Sequence, residues 1–254
     1  LAWSQRHLDG RLRRLEEWHP PSVRWAWALN AAASVLGSVT ALVFAIYMGL
    51  LQTQEPFQRL FTQGMITRDG AKMSKSKGNV ISPQPIVERY GADTARAYIL
   101  FIGPPDQDAD WSDEGVEGVH RFLGRLWRLG ADLAEAGTQR APDPAAGSRE
   151  GDDLELLRKA HWAVDKVTND LAGRFAFNTA ISAVMELVNE AYRRRDTASA
   201  DVMHFATATA ASLIFPFAPH VGTDVYELLT GDRLWEQPWP AADPELLERD
   251  TVVV

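Results

Sequence analysis

The stretch Asp69-Gly70-Ala71-Lys72-Met73-Ser74-Lys75-Ser76-Lys77-Gly78-Asn79 decides how the rest of the chain is read. It sets three lysines within six residues, bordered by Gly70 and Gly78, in a chain whose formal net charge is -8. A local positive cluster on an acidic protein suits an anionic ligand. A solvated basic turn is the plainer alternative, and it stays open above all for Lys77. Asp69-Gly70 supplies the positive φ that a tight turn needs, after a segment of strand character at Met65-Ile66-Thr67. Downstream, Ser82-Pro83 opens a helix, with Ser at the N-cap and Pro at the first helical position. The lysines therefore occupy a loop between a strand and a helix.

Outward from that loop the pattern is helical. The helix from Ser82 carries Ile86, Val87 and Tyr90 and stops at Gly91. Asp93 is placed to cap the next helix, which carries Ala97, Leu100 and Phe101 and breaks at Gly103-Pro104-Pro105. Residues 106–111 read as an acidic loop ending on Trp111. Ser112 caps a long helix with Asp113, Glu114 and Glu117 near its positive end. Residues 137–150 form a linker. Helical spacing then predicts helices over 152–171, 175–193, 198–215 and 221–229, with Pro216 and Pro219 as breaks. Arg233 to Pro240 is irregular. The fold class expected is mainly α, ending in an antiparallel helical bundle.

The composition is that of a globular protein, 46% apolar and 24% charged. With no cysteine, disulfides, thiolate zinc sites and cysteine nucleophiles are excluded. No cluster of His, Asp and Glu has ligand spacing, so no protein-bound metal is expected. A pI of about 5.3 argues against a protein coated in positive charge, yet leaves room for a local basic stripe. Arg121, Arg125 and Arg128 form such a stripe at i, i+4 and i+7 of one helix. They suit RNA phosphates; ion pairing with acids such as Glu117 is the alternative. Arg193-Arg194-Arg195 ends a helix, where positive charge favours the dipole anyway. Trp111, Trp127 and Trp162 are expected to pack in the core or between domains rather than stack on bases, and His220 is expected to be structural.

Lys72-Met73-Ser74-Lys75-Ser76 resembles the second signature of class I aminoacyl-tRNA synthetases, a mobile loop whose lysines meet the phosphates of ATP. Other pieces in the same order are similar to the leucyl members. These are Pro56-Phe57 through Gly64-Met65, Tyr90-Gly91-Ala92-Asp93-Thr94-Ala95-Arg96, Gly103-Pro104-Pro105 and Asp110-Trp111-Ser112-Asp113. Gly115-Val116-Glu117-Gly118 with Arg121-Phe122-Leu123 and Leu126-Trp127 continue the likeness. Phe177-Asn178-Thr179-Ala180-Ile181 and Pro216-Phe217-Ala218-Pro219-His220 resemble the anticodon-binding helices of that family. The likeness covers about residues 50–254, and the run from Gly103 to Trp127 separates the leucyl from the isoleucyl and valyl types.

The resemblance implies the end of a class I catalytic domain joined to an anticodon-binding bundle. It also implies ATP-dependent ligation of leucine to tRNA-Leu. Lys75 would be the main phosphate contact and Lys72 its helper, both catalytic. Met73, Ser74 and Ser76 would complete the ATP-binding loop. Gly70 and Gly78 would be hinges, and Arg121, Arg125 and Arg128 tRNA contacts. Magnesium would arrive with ATP, and leucine would be the third substrate. A cytoplasmic protein, monomeric at full length, is expected.

The sequence also departs from the family. No His-x-Gly-His occurs, so the first class I signature is missing, and the chain reads as a C-terminal piece, inactive alone. A non-catalytic tRNA-binding module is the alternative. The expected organisation is an atypical segment at 1–48, the catalytic-domain end at 49–111, the bundle at 112–240 and the start of a truncated domain at 241–254. Trp25 to Gln54 carries no charged residue or histidine, and Leu29 to Leu51 is long enough to span a bilayer. Arg11, Arg13, Arg14 and Arg24 precede it, as in a membrane anchor. A buried segment or a frame error is the preferred reading, and a membrane partner is not expected.

Overall fold

The computed structural model divides the chain into two units, Leu1–Leu60 and Phe61–Val254. It describes Gly49 and residues 60–137, 150–173 and 175–247. The apolar run at 25–51, nearly all of the linker at 137–150 and the end of the 241–254 segment lie outside the described residues. Among the described residues no helix is long and apolar enough to cross a membrane.

The second unit starts with a small sheet. Strands β1 (Ile66–Arg68) and β2 (Ala71–Lys72) pair antiparallel with Arg68 opposite Ala71. Asp69 and Gly70 both have positive φ, 54° and 69°. Two such residues make the primed turn whose twist matches a hairpin. Strand β3 (Ala109–Asp110) then lies parallel to β1, Ile66 opposite Ala109. The sequence predicts only a loop there, because a two-residue strand containing Asp carries no alternating pattern.

Helices α1 (Pro83–Tyr90) and α2 (Ala92–Phe101) connect the hairpin to β3. The long α3 (Asp113–Glu135) follows, its Ser112 Oγ accepting from the Gly115 amide at 3.1 Å. The other helices are α4 (Gly151–Ala172), α5 (Phe177–Arg193), α6 (Ala200–Ile214), α7 (Pro219–Thr230) and the short α8 (Pro244–Leu247). The connection 173–176 is short, which makes α4 and α5 antiparallel neighbours. Pro219 does not merely end the preceding helix. It is the first residue of α7, where a missing amide costs nothing.

Helix α6 is the axis of the bundle and packs against α3, α4, α5 and α7. It is apolar nearly all round, with Val202, Met203, Ala206, Ala210, Ala211, Leu213 and Ile214 buried, as a helix enclosed by others must be. Leu126 of α3, Leu156 of α4 and Ile181 and Leu187 of α5 close on it, all fully buried. Each such side chain contributes roughly 1.5–3 kcal/mol. His204 is buried among them and is satisfied by the Leu229 carbonyl, 2.9 Å from Nε2.

Gly222 lets two helices approach. A Cβ on Gly222 would lie 2.9 Å from the Ala211 carbonyl oxygen and 3.0 Å from the Phe215 Cα. Backbone cannot swing aside as a side chain can. Gly222→Ala should therefore lower stability by about 2 kcal/mol in urea unfolding. Gly118→Ala, where the nearest atom is an arginine tip 4.0 Å away, should be neutral or stabilising. Equal midpoints for the two variants would contradict this packing.

Candidate functional site

The lysine loop is built by its own backbone. After β2 the chain enters a single 3₁₀ turn at Lys75–Lys77, capped by Ser74, whose Oγ accepts from the Lys77 amide at 3.3 Å. The Ser76 hydroxyl lies 3.2 Å from that of Ser74. Gly78 closes the turn in the left-handed region at φ 67°, where a side chain would be strained. Asn79 clasps the loop: its Oδ1 accepts from the Ser74 amide at 2.8 Å and its Nδ2 donates to the Lys72 carbonyl at 3.3 Å. No role for Asn79 was read from the sequence; its position after a left-handed glycine was the available signal.

Met73 is half-buried at an apolar pocket of about 180 Å³ with Ile66, Ile86, Ile99 and Trp111, so it anchors the loop. Lys72, Lys75 and Lys77 are exposed. Among the described residues none of them has a carboxylate at ion-pair distance. No described residue therefore neutralises the loop's positive charge.

Asp110 ties the hairpin to β3. Its Oδ1 accepts from the Thr67 hydroxyl at 2.7 Å and from the Gly70 amide at 3.1 Å. The Thr67 hydroxyl first, and the Gly70 amide second, hold its carboxyl below the usual carboxylate range. Nearby, Gly64 fits only as glycine, since a Cβ would meet the Gln107 carbonyl oxygen at 2.0 Å.

The arginine stripe on α3 divides. Arg121 is exposed and 3.9 Å from Glu117. Arg125 is only half exposed. Its Nη1 donates to Asn189 Oδ1 at 2.6 Å, its guanidinium lies 4.4 Å from the centre of the Tyr192 ring, and its carbonyl accepts from the Tyr192 hydroxyl. It fastens α3 to α5. Arg128 is exposed and, among the described residues, has no acidic partner. At the end of α5, Arg193 and Arg194 pair with Glu190, Arg194 also with Asp152.

Asp93 does not cap its own helix. The N-cap of α2 is Gly91, with no side-chain bond. The Asp93 carboxylate is buried and reaches α7, accepting from the Val221 amide at 2.7 Å and meeting His220 Nδ1 at 2.7 Å. Helix α7 has Ala218 at its own N-cap and depends on this carboxylate from α2. His220 holds Asp93 through Nδ1 while its side chain stays 75% exposed. Trp111 packs edge-on against Tyr98 at 4.8 Å, whereas Trp127 stays 42% exposed, outside the core. Trp162 is half-buried with Lys159 Nζ 3.5 Å from its ring centre. Among the described residues no group of three or more His, Asp or Glu is placed to hold a metal ion.

Comparison with known proteins supplies the likeness. Residues 39–112 match tRNA synthetases class I (I, L, M and V), and residues 153–253 match the anticodon-binding domain of tRNA ligase. A leucine–tRNA ligase from Nitratidesulfovibrio vulgaris is 44% identical over 220 residues, and one from Oleidesulfovibrio alaskensis 45% over 217. The chain is similar to leucine–tRNA ligases over most of its length. Each alignment takes in 81% of the chain but 26% of the relative, so the chain spans about a quarter of their length. The class I match begins at residue 39 and so reaches into the 1–48 segment, whose residues 25–48 carry no likeness legible in the motifs.

Among solved structures, a ternary LeuRS–tRNA–LeuAMS complex of Agrobacterium radiobacter superposes with a TM-score of 0.72 at 31% identity. It covers 81% of this chain and 27% of that one. Methionyl-tRNA synthetase of Mycobacterium tuberculosis, in complex with methionyl-adenylate, gives 0.57 at 26% identity over 68% of this chain and 38% of its own.

Two outcomes are expected. Asp93→Ala leaves a partly buried α7 amide without its acceptor and should cost about 1–3 kcal/mol, whereas Asp93→Asn, which keeps one acceptor, should cost less. Thermal unfolding that ranks them the other way would contradict the clamp. Asp110, with its carboxyl held low, supports the hairpin above the ordinary carboxylate range and releases it as pH falls through the depressed value. Gly70 amide exchange, corrected for intrinsic rates, should therefore accelerate at acid pH. In Asp110→Asn this pH dependence should vanish.

Proposed function

We propose that the chain serves ATP-dependent ligation of leucine to tRNA-Leu, contributing the loop that faces the phosphates of ATP and the bundle that faces tRNA. The observation that carries this reading is the lysine loop itself. It is an unneutralised set of lysines, clasped by Ser74 and Asn79, in a chain 44% identical to leucine–tRNA ligases. That these relatives are leucine ligases favours leucine over the isoleucyl and valyl alternatives.

When leucyl-adenylate forms, negative charge gathers on the departing pyrophosphate. An ammonium group positioned there stabilises the transition state more than the ground state. Lysine suits this as a compact point charge on a flexible stem. Lys75 is the principal contact and Lys72 the second, with Met73, Ser74 and Ser76 completing the ATP-binding loop. Gly70 and Gly78 bound the segment that would close over ATP. Magnesium comes with ATP. Of the arginines, Arg121 and Arg128 remain available to tRNA phosphates, and Arg125 less so because it already serves the α3–α5 contact. We further propose a cytoplasmic protein, monomeric at full length.

The chain carries no His-x-Gly-His, so this stretch alone is not expected to form adenylate. The purified chain should give no ATP–pyrophosphate exchange above a Lys75→Ala control; exchange above that control would overturn this part. Where the stretch is joined to the rest of a class I catalytic domain, Lys75→Ala should slow exchange by about 10²–10³-fold. In filter binding the chain should prefer tRNA-Leu to bulk RNA and weaken steeply between about 50 and 200 mM salt. No preference would count against the tRNA reading.

A further inference from the structure

A second concave site lies away from the lysine loop. A pocket of about 520 Å³ opens where the start of α2, the exposed side of α3 and the start of α7 meet. Its size falls within the range of small-ligand pockets. Its lining combines an aromatic, a guanidinium and imidazoles in a mainly apolar surface: Trp127, Arg128, His120 and His220. We propose that it receives one nucleotide, with the base against Trp127 and the phosphate against Arg128.

Four observations support this. Trp127 is 42% exposed, although an indole of that size gains more by burial when nothing else uses its face. Arg128, the next residue, also lines the pocket, and among the described residues no acid neutralises it. Both histidines are held by one ring nitrogen, His120 Nδ1 by Thr94 Oγ1 at 3.3 Å and His220 Nδ1 by Asp93 at 2.7 Å. Among the described residues the second nitrogen of each has no partner and, in the neutral ring, is an acceptor for the amino or imino hydrogen of a base. The pocket also takes in Gly91, Ala92 and Thr94, at the start of a helix with no side-chain cap, so its positive end adds to the attraction for phosphate. The single carboxylate at this wall, that of Asp93, is already engaged by the Val221 amide and His220. An aromatic face for a base beside a guanidinium for its phosphate is how unpaired nucleotides are held.

The nucleotide belongs either to RNA, as an unpaired residue, or to a free mononucleotide. The proposal rests on the tRNA reading for the first source, and the experiment separates the two. Filter binding of tRNA-Leu is measured for the chain, Trp127→Ala, Trp127→Phe and Arg128→Gln, and AMP is titrated into the same proteins by calorimetry. For an RNA nucleotide, Trp127→Ala should weaken tRNA binding about tenfold with the salt slope unchanged, and Trp127→Phe should retain most of it. Arg128→Gln should lower the salt slope by about one. AMP binding that Trp127→Ala abolishes, with tRNA affinity intact, supports the site and assigns it to a free mononucleotide. If the chain binds tRNA-Leu and all variants match it, and AMP does not distinguish them, the pocket proposal is overturned while the tRNA reading stands. If the chain binds no tRNA, the tRNA reading falls and the AMP arm alone decides the pocket.

Discussion

The Asp93 carboxylate is the contact on which the arrangement of the second unit turns. It is buried, and both of its oxygens act on another helix far along the chain, at Val221 and His220. Helix α7 begins with Ala218 and Pro219, so it has neither a capping side chain nor a donor at its first position. The amide of its third residue, Val221, needs an acceptor, and α2 supplies one. A buried carboxylate without such donors would be strongly disfavoured, and a buried amide without an acceptor costs about 1–3 kcal/mol. Each group therefore holds the other in place.

From that clamp contacts run without interruption to the lysine loop. Tyr98, further along α2, accepts from the Ser112 amide at 2.8 Å and stacks edge-on with Trp111. The Trp111 amide donates to Thr67 of β1, and Asp110 holds both Thr67 and Gly70. The hairpin that presents the lysines is thus fastened to the same helix that caps the bundle. A loop whose shape is set by Ser74, Gly78 and Asn79, on a base fastened this way, can carry exposed charge without an internal counter-ion. Its lysines cost little while solvated and, among the described residues, have no carboxylate partner. The arginines at the end of α5 differ: Glu190 and Asp152 already occupy Arg193 and Arg194.

Much of this was legible in the residues. The hairpin turn followed from Asp69-Gly70, the start of α3 from Ser112 and the start of α1 from Ser82-Pro83. The apolar spacing gave the bundle helices to within a few residues. Those features depend on neighbours in sequence, and local rules reach them. The misreadings share another cause. Asp93 looked like a cap for the helix it sits in because it lies one residue inside that helix. Its partner is on a helix whose position no local pattern encodes. Arg125 fell on the same stripe as Arg121 and Arg128, yet only the nearness of α5 engages it with Asn189 and Tyr192. Trp127 matched the ordinary expectation of a packed indole, but it falls on the side of α3 that the bundle leaves open.

The sequence by itself determined the helical class, the order of the elements and the place of the lysine loop between a hairpin and a helix. Each rests on spacing, capping residues and turn residues within a few positions of one another. The tertiary structure decided which charged groups remain free. It set Asp93 against α7, used Arg125 to join two helices, and left Arg128 beside Trp127 at an open pocket. Whether a charge is available to a ligand depends on what lies within a few ångströms of it. That distance is fixed by how helices distant in sequence pack.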